Sequence, residues 1–127
     1  SFCSVSMDPP SMLVCVNQDS RTHGLITASK KFCINLLQSH QMGIANAFAS
    51  SKPGAEKLEQ ADTRVRELEG VLSLEDAAAV IVCDLTDAHN SGTHTIMVGT
   101  VRAVSVAENT EPLLYGMQSY GSFTQSQ

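Results

Sequence analysis

Apolar and hydroxyl side chains alternate over residues 1–7, and a continuous apolar run follows over residues 12–16. A period of two predicts a strand with one apolar face and one face of small polar groups. The Asp-Pro-Pro sequence at residues 8–10 ends this strand, because a proline cannot donate to a sheet ladder. The apolar run is typical of a second strand that is covered on both faces. A polar segment, residues 17–22, comes directly after it.

Three helices are predicted further along the chain. Thr22 is a candidate N-cap for a helix that ends near residue 30, and Ser39 is a candidate N-cap for a helix over residues 40–49. Residues 55–69 predict a third, charged helix that packs as a surface helix. Its apolar residues recur at three and four positions and form one narrow stripe, namely Leu58, Ala61, Val65 and Leu68.

The remaining apolar runs predict strands over residues 32–37, 78–86, 95–106 and 113–115. Turn-forming residues at 87–94 join two of these strands into a hairpin. Gly99 inside a strand predicts a bulge. The polar tail from Gly116 on predicts a loose loop or an arm. About six strands with two or three helices indicate a small antiparallel barrel with flanking helices.

Composition narrows the class of protein. A chain of 127 residues is long enough for one domain with a single core. Its net charge of −5 argues against nucleic acid and against an anionic membrane surface as partners. No apolar run approaches the roughly 20 residues that span a bilayer. The four cysteines, Cys3, Cys15, Cys33 and Cys83, form no C-x-x-C motif, so we expect buried, reduced thiols and a cytoplasmic setting.

The residues alone leave the chemistry of the first two strands open. Their hydroxyl groups could line a site for a phosphorylated aromatic ligand, or they could belong to an ordinary sheet corner followed by a helix N-cap. His89 and His94 with nearby aspartates match no standard metal-ligand spacing, so we expect no metal site. The chain has no G-x-G-x-x-G, no P-loop and no G-x-S-x-G motif.

Ordered motifs along the chain resemble one known family. Residues 1–10 read S-F-x-S-V-S-[LM]-D-P-P, an apolar strand follows, and residues 17–23 read N-x-x-S-x-T-H. This order is similar to the signature of the flavin reductase-like family. Further matches lie at residues 32–37, 48–50, 74–77, 92–96 and 112–115. The resemblance implies a mainly β (α+β) fold, a small antiparallel split β-barrel with short flanking helices of the FMN-binding split-barrel type. It also implies one domain over residues 1–127, with further N-terminal strands upstream in such proteins.

The resemblance also implies where a flavin would bind. Ser4 and Val5 would lie beside the isoalloxazine ring, and Asn17, Ser20 and Thr22 would face the ribityl chain and the phosphate. His94 would be the catalytic residue beside the nicotinamide, although Thr93 stands where the family often has an acid. The cofactor-binding residues that the resemblance implies are Phe2, Ser4, Val5, Ser6, Cys15, Val16, Asn17, Ser20, Arg21, Thr22, Phe48, Ala49 and Ser50. Tyr115 and Tyr120 are further candidates, because an aromatic side chain stacks on a flat cofactor.

The implied activity is that of a cytoplasmic, homodimeric NAD(P)H:flavin oxidoreductase. Hydride would pass from C4 of NADH or NADPH to N5 of FMN or FAD, and reduced flavin would reach a separate oxygenase component. An alternative is a flavin-binding electron-transfer module without nicotinamide activity. A third interpretation is an oxidase of a phosphorylated small molecule, although the chain shows no strongly basic phosphate site.

Overall fold

Nine strands and three helices make up residues 1–126, the part of the chain that the computed structural model describes. The helices are α1 (Arg21–Ser29), α2 (Met42–Ala49) and α3 (Gly54–Ala61). The strands are β1 (Phe2–Met7), β2 (Pro10–Asn17), β3 (Lys31–Leu36), β4 (Val65–Leu68), β5 (Val71–Leu74), β6 (Ala79–Ser91), β7 (His94–Val106), β8 (Leu113–Gly116) and β9 (Ser119–Ser122). The prediction of a mainly β fold with antiparallel sheets and short helices is confirmed.

The largest sheet has five strands in the order β1-β2-β7-β6-β3. β1 and β2 are antiparallel and are joined by a tight turn with a cis Asp8-Pro9 peptide bond. β2 pairs antiparallel with β7, so that Asn17 at the end of β2 lies opposite His94 at the start of β7. This pairing joins two segments that are far apart in the sequence.

The chain divides into two compact units. Unit 1 consists of Ser1–Ile34, Leu68–Val71 and Ile81–Val104; unit 2 consists of Asn35–Glu67, Leu72–Val80 and the part from Ser105 on. The core of unit 1 is formed by Ile26, Phe32, Ile34, Cys83 and Met97, which are all buried. In unit 2, buried residues include Ala47, Leu74, Ala77, Ala78 and Val80.

In the pairing of β7 with β2, Gly99 does not form the bulge that its position in a strand predicts. The register of β7 with β2 runs from Ser11↔Thr100 through Met12↔Gly99 without interruption. A Cβ atom on Gly99 would lie 2.7 Å from Cε1 of Phe32 and 2.8 Å from Cβ of Cys83. Glycine is therefore required here because the Phe32 ring packs directly on the backbone of β7.

The predicted long helix over residues 55–69 is wrong beyond Ala61. α3 ends there, and Asp62 takes a left-handed conformation with a φ of 49°. β4 then pairs with β5 across the turn residues Glu69 and Gly70, which have φ values of 51° and 82°. Leu58, Ala61, Val65 and Leu68 fit a helical spacing by coincidence, since the last two lie in a strand. Glycine at a positive φ is the sequence signal for this hairpin.

Two further boundaries differ from the predictions. β6 continues to Ser91, so that residues 87–91 belong to the strand and only Gly92 and Thr93 form the turn to β7. From Leu113 on the chain forms a further hairpin, β8–β9, so that the segment after Gly116 is not a loose tail. Its turn residues Met117 and Gln118 have positive φ values of 51° and 62°, which sequence patterns rarely predict for such residues.

The N-caps also differ from the predictions. Ser20, and not Thr22, caps α1, because its Oγ accepts a hydrogen bond from the backbone N–H of His23 at 3.1 Å. Gln41, and not Ser39, stands at the start of α2. Within residues 1–126, no helix is long and apolar enough to cross a membrane.

The cysteines differ in burial. The expectation of four buried thiols is wrong for three of them, since Cys3 is exposed and Cys15 and Cys33 are half-buried. No disulfide bond links any of them within the described chain. Only Cys83 among them is fully buried.

We expect Cys3 to react rapidly with a thiol reagent, and Cys83 to react only after unfolding. Burial raises the pKa of the Cys83 thiol to about 11, so at neutral pH Cys83 stays in the neutral, unreactive form. A thiol whose pKa is raised on folding stabilises the fold below its ordinary pKa of 9.0, and this contribution is lost as the pH rises through about 11. Peptide mapping after timed alkylation measures both reactivities. Labelling of Cys83 at the rate of Cys3 in the folded protein would contradict the prediction.

Candidate functional site

β1 carries an irregularity at Val5. Ser4 pairs with Met12 and Ser6 pairs with Ser11, so Val5 is an extra residue in the ladder. β1 is also at the edge of the five-stranded sheet. Backbone N–H and C=O groups of a bulged edge strand are available to a ligand, and bulges often occur beside binding sites.

The side chains of β1 are accessible as well. Phe2 and Val5 are 45% and 52% exposed. Ser4 is exposed as well, and its hydroxyl has no hydrogen-bond partner among the described residues. Ser6 is half-buried, and its Oγ accepts from the backbone N–H of Asp8 at 3.2 Å. This strand therefore offers an apolar surface together with free polar groups.

The polar segment after β2 is a turn stabilised by its own side chains. Cys15 and Val16 are half-buried residues of β2, and they lead into Asn17, whose Oδ1 accepts from the N–H of Asp19 at 2.8 Å. The Ser20 hydroxyl donates to Asn17 O at 2.7 Å while it caps α1. Ser20 is therefore engaged in both directions, which leaves it less able to donate to a ligand than the sequence suggests.

Gln18 is a residue of this site that the sequence analysis missed. Its Nε2 donates to the carbonyl oxygens of His94 and Gly92, at 2.9 and 3.4 Å. Its backbone N–H also donates to Thr93 O at 3.0 Å. The segment after β2 is thus bonded to the β6–β7 turn. No sequence signal could have indicated this, since a glutamine in a polar loop has no typical role.

Arg21 and Thr22 begin α1 and are both exposed. Neither side chain has a hydrogen-bond or ion-pair partner among residues 1–126. The first turn of a helix also presents free backbone N–H groups and a partial positive charge. The three features together suit an anionic group such as a phosphate.

His94 is exposed at the start of β7. Its Nδ1 lies 2.9 Å from the Thr93 hydroxyl, so a neutral neighbour occupies the place where an acid was expected from the resemblance. Because His94 lies opposite Asn17, the structure brings the predicted nicotinamide residue next to a predicted flavin residue.

Other predicted residues belong to unit 2. Phe48 is 40% exposed and, with Leu37, Ile44, Leu58 and Leu72, lines a cavity of about 420 Å³. Ala49 is exposed at the end of α2. Ser50 follows it and donates its hydroxyl to Ala47 O at 2.7 Å.

The two tyrosines form a pair in the β8–β9 hairpin. Tyr115 and Tyr120 are cross-strand partners in β8 and β9, with ring centroids 5.1 Å apart in an edge-to-face arrangement. Tyr115 is 67% exposed. Packing of the two rings on each other accounts for this geometry. The flavin contacts expected for both tyrosines and for residues 48–50 stay predictions.

Metal binding has no support in the described part of the chain. No group of three or more His, Cys, Asp and Glu side chains there is arranged to hold an ion. His89 Nε2 lies 2.9 Å from Asp87 Oδ2, and both side chains are largely exposed. This pair is a surface contact.

The groups in unit 1 fit a flavin. A flat ring with a polar edge needs an apolar surface with available backbone groups, and β1 supplies both at Val5. A phosphate needs donors and positive charge, which Arg21, Thr22 and the first turn of α1 supply.

Comparisons with known proteins show the family of the chain. The family described as "Flavin reductase like domain" matches residues 1–124. The reductase component of FADH(2)-dependent resorcinol hydroxylase from Rhizobium sp. (strain MTP-10005) is 38% identical over 117 residues, which are 92% of this chain and 65% of that protein. FMN reductase (NADH) RutF from Agrobacterium fabrum is 33% identical over 120 residues, 94% of this chain and 68% of that protein.

A solved structure is similar as well. The NADH:FAD oxidoreductase SgcE6 of Streptomyces globisporus C-1027 superimposes with a TM-score of 0.89 at 28% identity, over 98% of this chain and 75% of that one. The chain thus spans about two thirds to three quarters of these relatives. On the match over residues 1–124, the chain belongs to the flavin reductase-like domain family.

Proposed function

We propose that the chain is an NAD(P)H-dependent flavin reductase that supplies reduced FMN or FAD to a partner monooxygenase. The names of the two relatives support this, since one is an NADH-dependent FMN reductase and the other is the reductase component of a hydroxylase. Their match to more than nine tenths of this chain supports a similar role here.

One observation carries the proposal for the site, namely the pairing of Asn17 with His94. It joins the segment proposed for the ribityl chain and phosphate to the residue proposed for the nicotinamide. Hydride transfer needs the two rings in contact, so the residues that hold the two cofactors must be neighbours.

Each part of unit 1 then has a role. Phe2, Ser4 and Val5 hold the isoalloxazine ring, with the backbone of β1 directed at its polar edge. Arg21 and Thr22 hold the phosphate, and His94 orients the nicotinamide. A bound flavin would supply the redox chemistry as the hydride acceptor, and the residues of the protein would contribute binding and orientation.

The proposal extends to architecture and setting. The mainly β fold and the family match support a split barrel formed by a single domain over residues 1–127. Cysteines without a disulfide bond within residues 1–126 support a cytoplasmic setting. Exposed apolar residues such as Leu114, Met117 and Phe123 support a homodimer.

We expect His94→Gln to lower kcat/KM for NADH about tenfold, because one hydrogen bond and the packing of one ring are lost. The measurement is the initial rate of NADH oxidation at saturating FMN. His89→Gln is the matched control, since His89 is also exposed on the β6–β7 hairpin but bonds to Asp87. It should leave the rate unchanged.

An unchanged kcat/KM in the His94→Gln protein would contradict the proposed role of His94. Absence of NADH and NADPH oxidation by the wild-type protein, with flavin still bound, would contradict the reductase proposal itself. That result would favour the alternative, an electron-transfer module.

A further inference from the structure

Three side chains of unit 1 form a continuous hydrogen-bond chain. His23 lies in the first turn of α1, Thr95 at the start of β7 and Asn90 near the end of β6. His23 Nε2 lies 2.9 Å from Thr95 Oγ1, which donates to Asn90 Oδ1 at 2.8 Å. Thr95 is 1% exposed, so water does not compete for its hydroxyl.

The direction of the bonds follows from the single hydrogen of the Thr95 hydroxyl. This hydrogen is donated to Asn90, so the oxygen must accept from His23, and Nε2 of His23 carries a hydrogen. Protonation of His23 at Nδ1 would leave this donor in place. The hydrogen-bond chain is therefore compatible with both charge states of His23.

The hydrogen-bond chain links the two ends of the candidate site. His23 directly follows Arg21 and Thr22, and Thr95 directly follows His94. We propose that His23, Thr95 and Asn90 are positioning residues, which fix the first turn of α1 against the start of β7 and so set the phosphate donors relative to His94. The ligands named here rest on the proposed function.

The proposal gives these residues no contact with either cofactor, so their effect must pass through Arg21, Thr22 and His94. A displaced first turn of α1 weakens binding of the phosphate and leaves binding of the ring on β1 intact. FMN and riboflavin, which lacks the phosphate, should therefore respond differently.

The test compares Thr95→Val, which removes the hydroxyl, with Thr95→Ser, which keeps it. We expect Thr95→Val to raise KM for FMN about tenfold and to change KM for riboflavin by less than about twofold. Thr95→Ser should resemble the wild type. The proposal would be overturned if Thr95→Val changed KM for FMN and KM for riboflavin equally, or left KM for FMN unchanged. It would also be overturned if Thr95→Ser raised KM for FMN as much as Thr95→Val does.

A second pair of variants covers the case in which Thr95→Val does not fold. His23→Leu removes the donor, whereas His23→Gln places an amide N–H near the position of Nε2. His23→Leu should raise KM for FMN and leave KM for riboflavin nearly unchanged, whereas His23→Gln should keep KM for FMN near the wild-type value. An equal rise of KM for FMN in both variants would overturn the proposal.

Binding of FMN without NADH, measured by quenching of flavin fluorescence, separates the two proposals. Wild-type protein that binds FMN but does not oxidise NADH or NADPH contradicts the reductase proposal alone. In that case weaker FMN binding by Thr95→Val still supports the proposed positioning role of the hydrogen-bond chain, and unchanged FMN binding overturns that role. Wild-type protein that binds no FMN contradicts both.

Discussion

Replacing Arg21 by glutamine and Thr22 by valine together should raise KM for FMN about a hundredfold or more, since each of the two hydrogen bonds to a charged phosphate contributes about 1.5–3 kcal/mol and about 1.4 kcal/mol is a factor of ten. KM for riboflavin should stay within about twofold of the wild type, because riboflavin offers no phosphate to either side chain. Thr22 does not cap α1, so its loss leaves the helix start intact.

Arg64→Gln is the matched control for this double variant. Arg64 is also exposed and has no side-chain partner among residues 1–126, but it lies outside α1 in unit 2. It should leave both KM values unchanged. A double variant with parallel changes for FMN and riboflavin would contradict the placement of the phosphate at α1.

Gly99→Ala should destabilise the protein by about 1–3 kcal/mol, the range found when a well-packed core is overfilled. The new Cβ would lie 2.7 and 2.8 Å from Cε1 and Cζ of Phe32, which is 4% exposed and has no room to move. For a chain of this length the midpoint of thermal unfolding should fall by about 5–15 °C.

Gly24→Ala is the control for Gly99→Ala. Nothing lies within 4 Å of a Cβ at Gly24, which is in α1, so this change should raise stability by about 0.5–1 kcal/mol. Circular dichroism during heating measures both midpoints. A Gly99→Ala protein that melts with the wild type would contradict the packing of Phe32 on β7.

The periodicity of the sequence predicted the main strands because each follows a local rule. Apolar and hydroxyl side chains alternate over residues 1–7, and residues 12–16 form a continuous apolar run. Both patterns are typical of strands, and β1 and β2 lie at these positions. The long β6–β7 hairpin was also predicted, although Asp87, His89 and Asn90 extended β6 where turn residues were expected. Turn-forming residues pair in a strand when the partner strand is long enough to hold them.

The failures come from features that depend on tertiary contacts or on local alternatives of similar energy. Val65 and Leu68 fit a helical stripe and a strand equally, and pairing with β5 decides between them. Gly99 fits a bulge or a close approach, and only the position of Phe32 distinguishes the two.

The candidate site was predicted mainly from the resemblance to a family. Residues 1–10 and 17–23 matched an ordered signature, and the pairing of Asn17 with His94 is a finding of the structure that this signature did not predict. The contacts of Gln18 with His94 and of His23 with Thr95 escaped the sequence analysis because each joins residues that are more than 70 positions apart. Single-sequence patterns carry no information on such contacts.

The loss of near-ultraviolet absorbance of NADH or NADPH, measured against the concentration of free FMN or FAD, tests the central claim most directly. We predict that the rate of nicotinamide oxidation rises with the concentration of free flavin and saturates, since flavin is a diffusible substrate of the proposed reductase. The four combinations of NADH or NADPH with FMN or FAD would identify the preferred nicotinamide and the preferred flavin. Protein that keeps its flavin bound and oxidises neither nicotinamide at any flavin concentration would contradict the account.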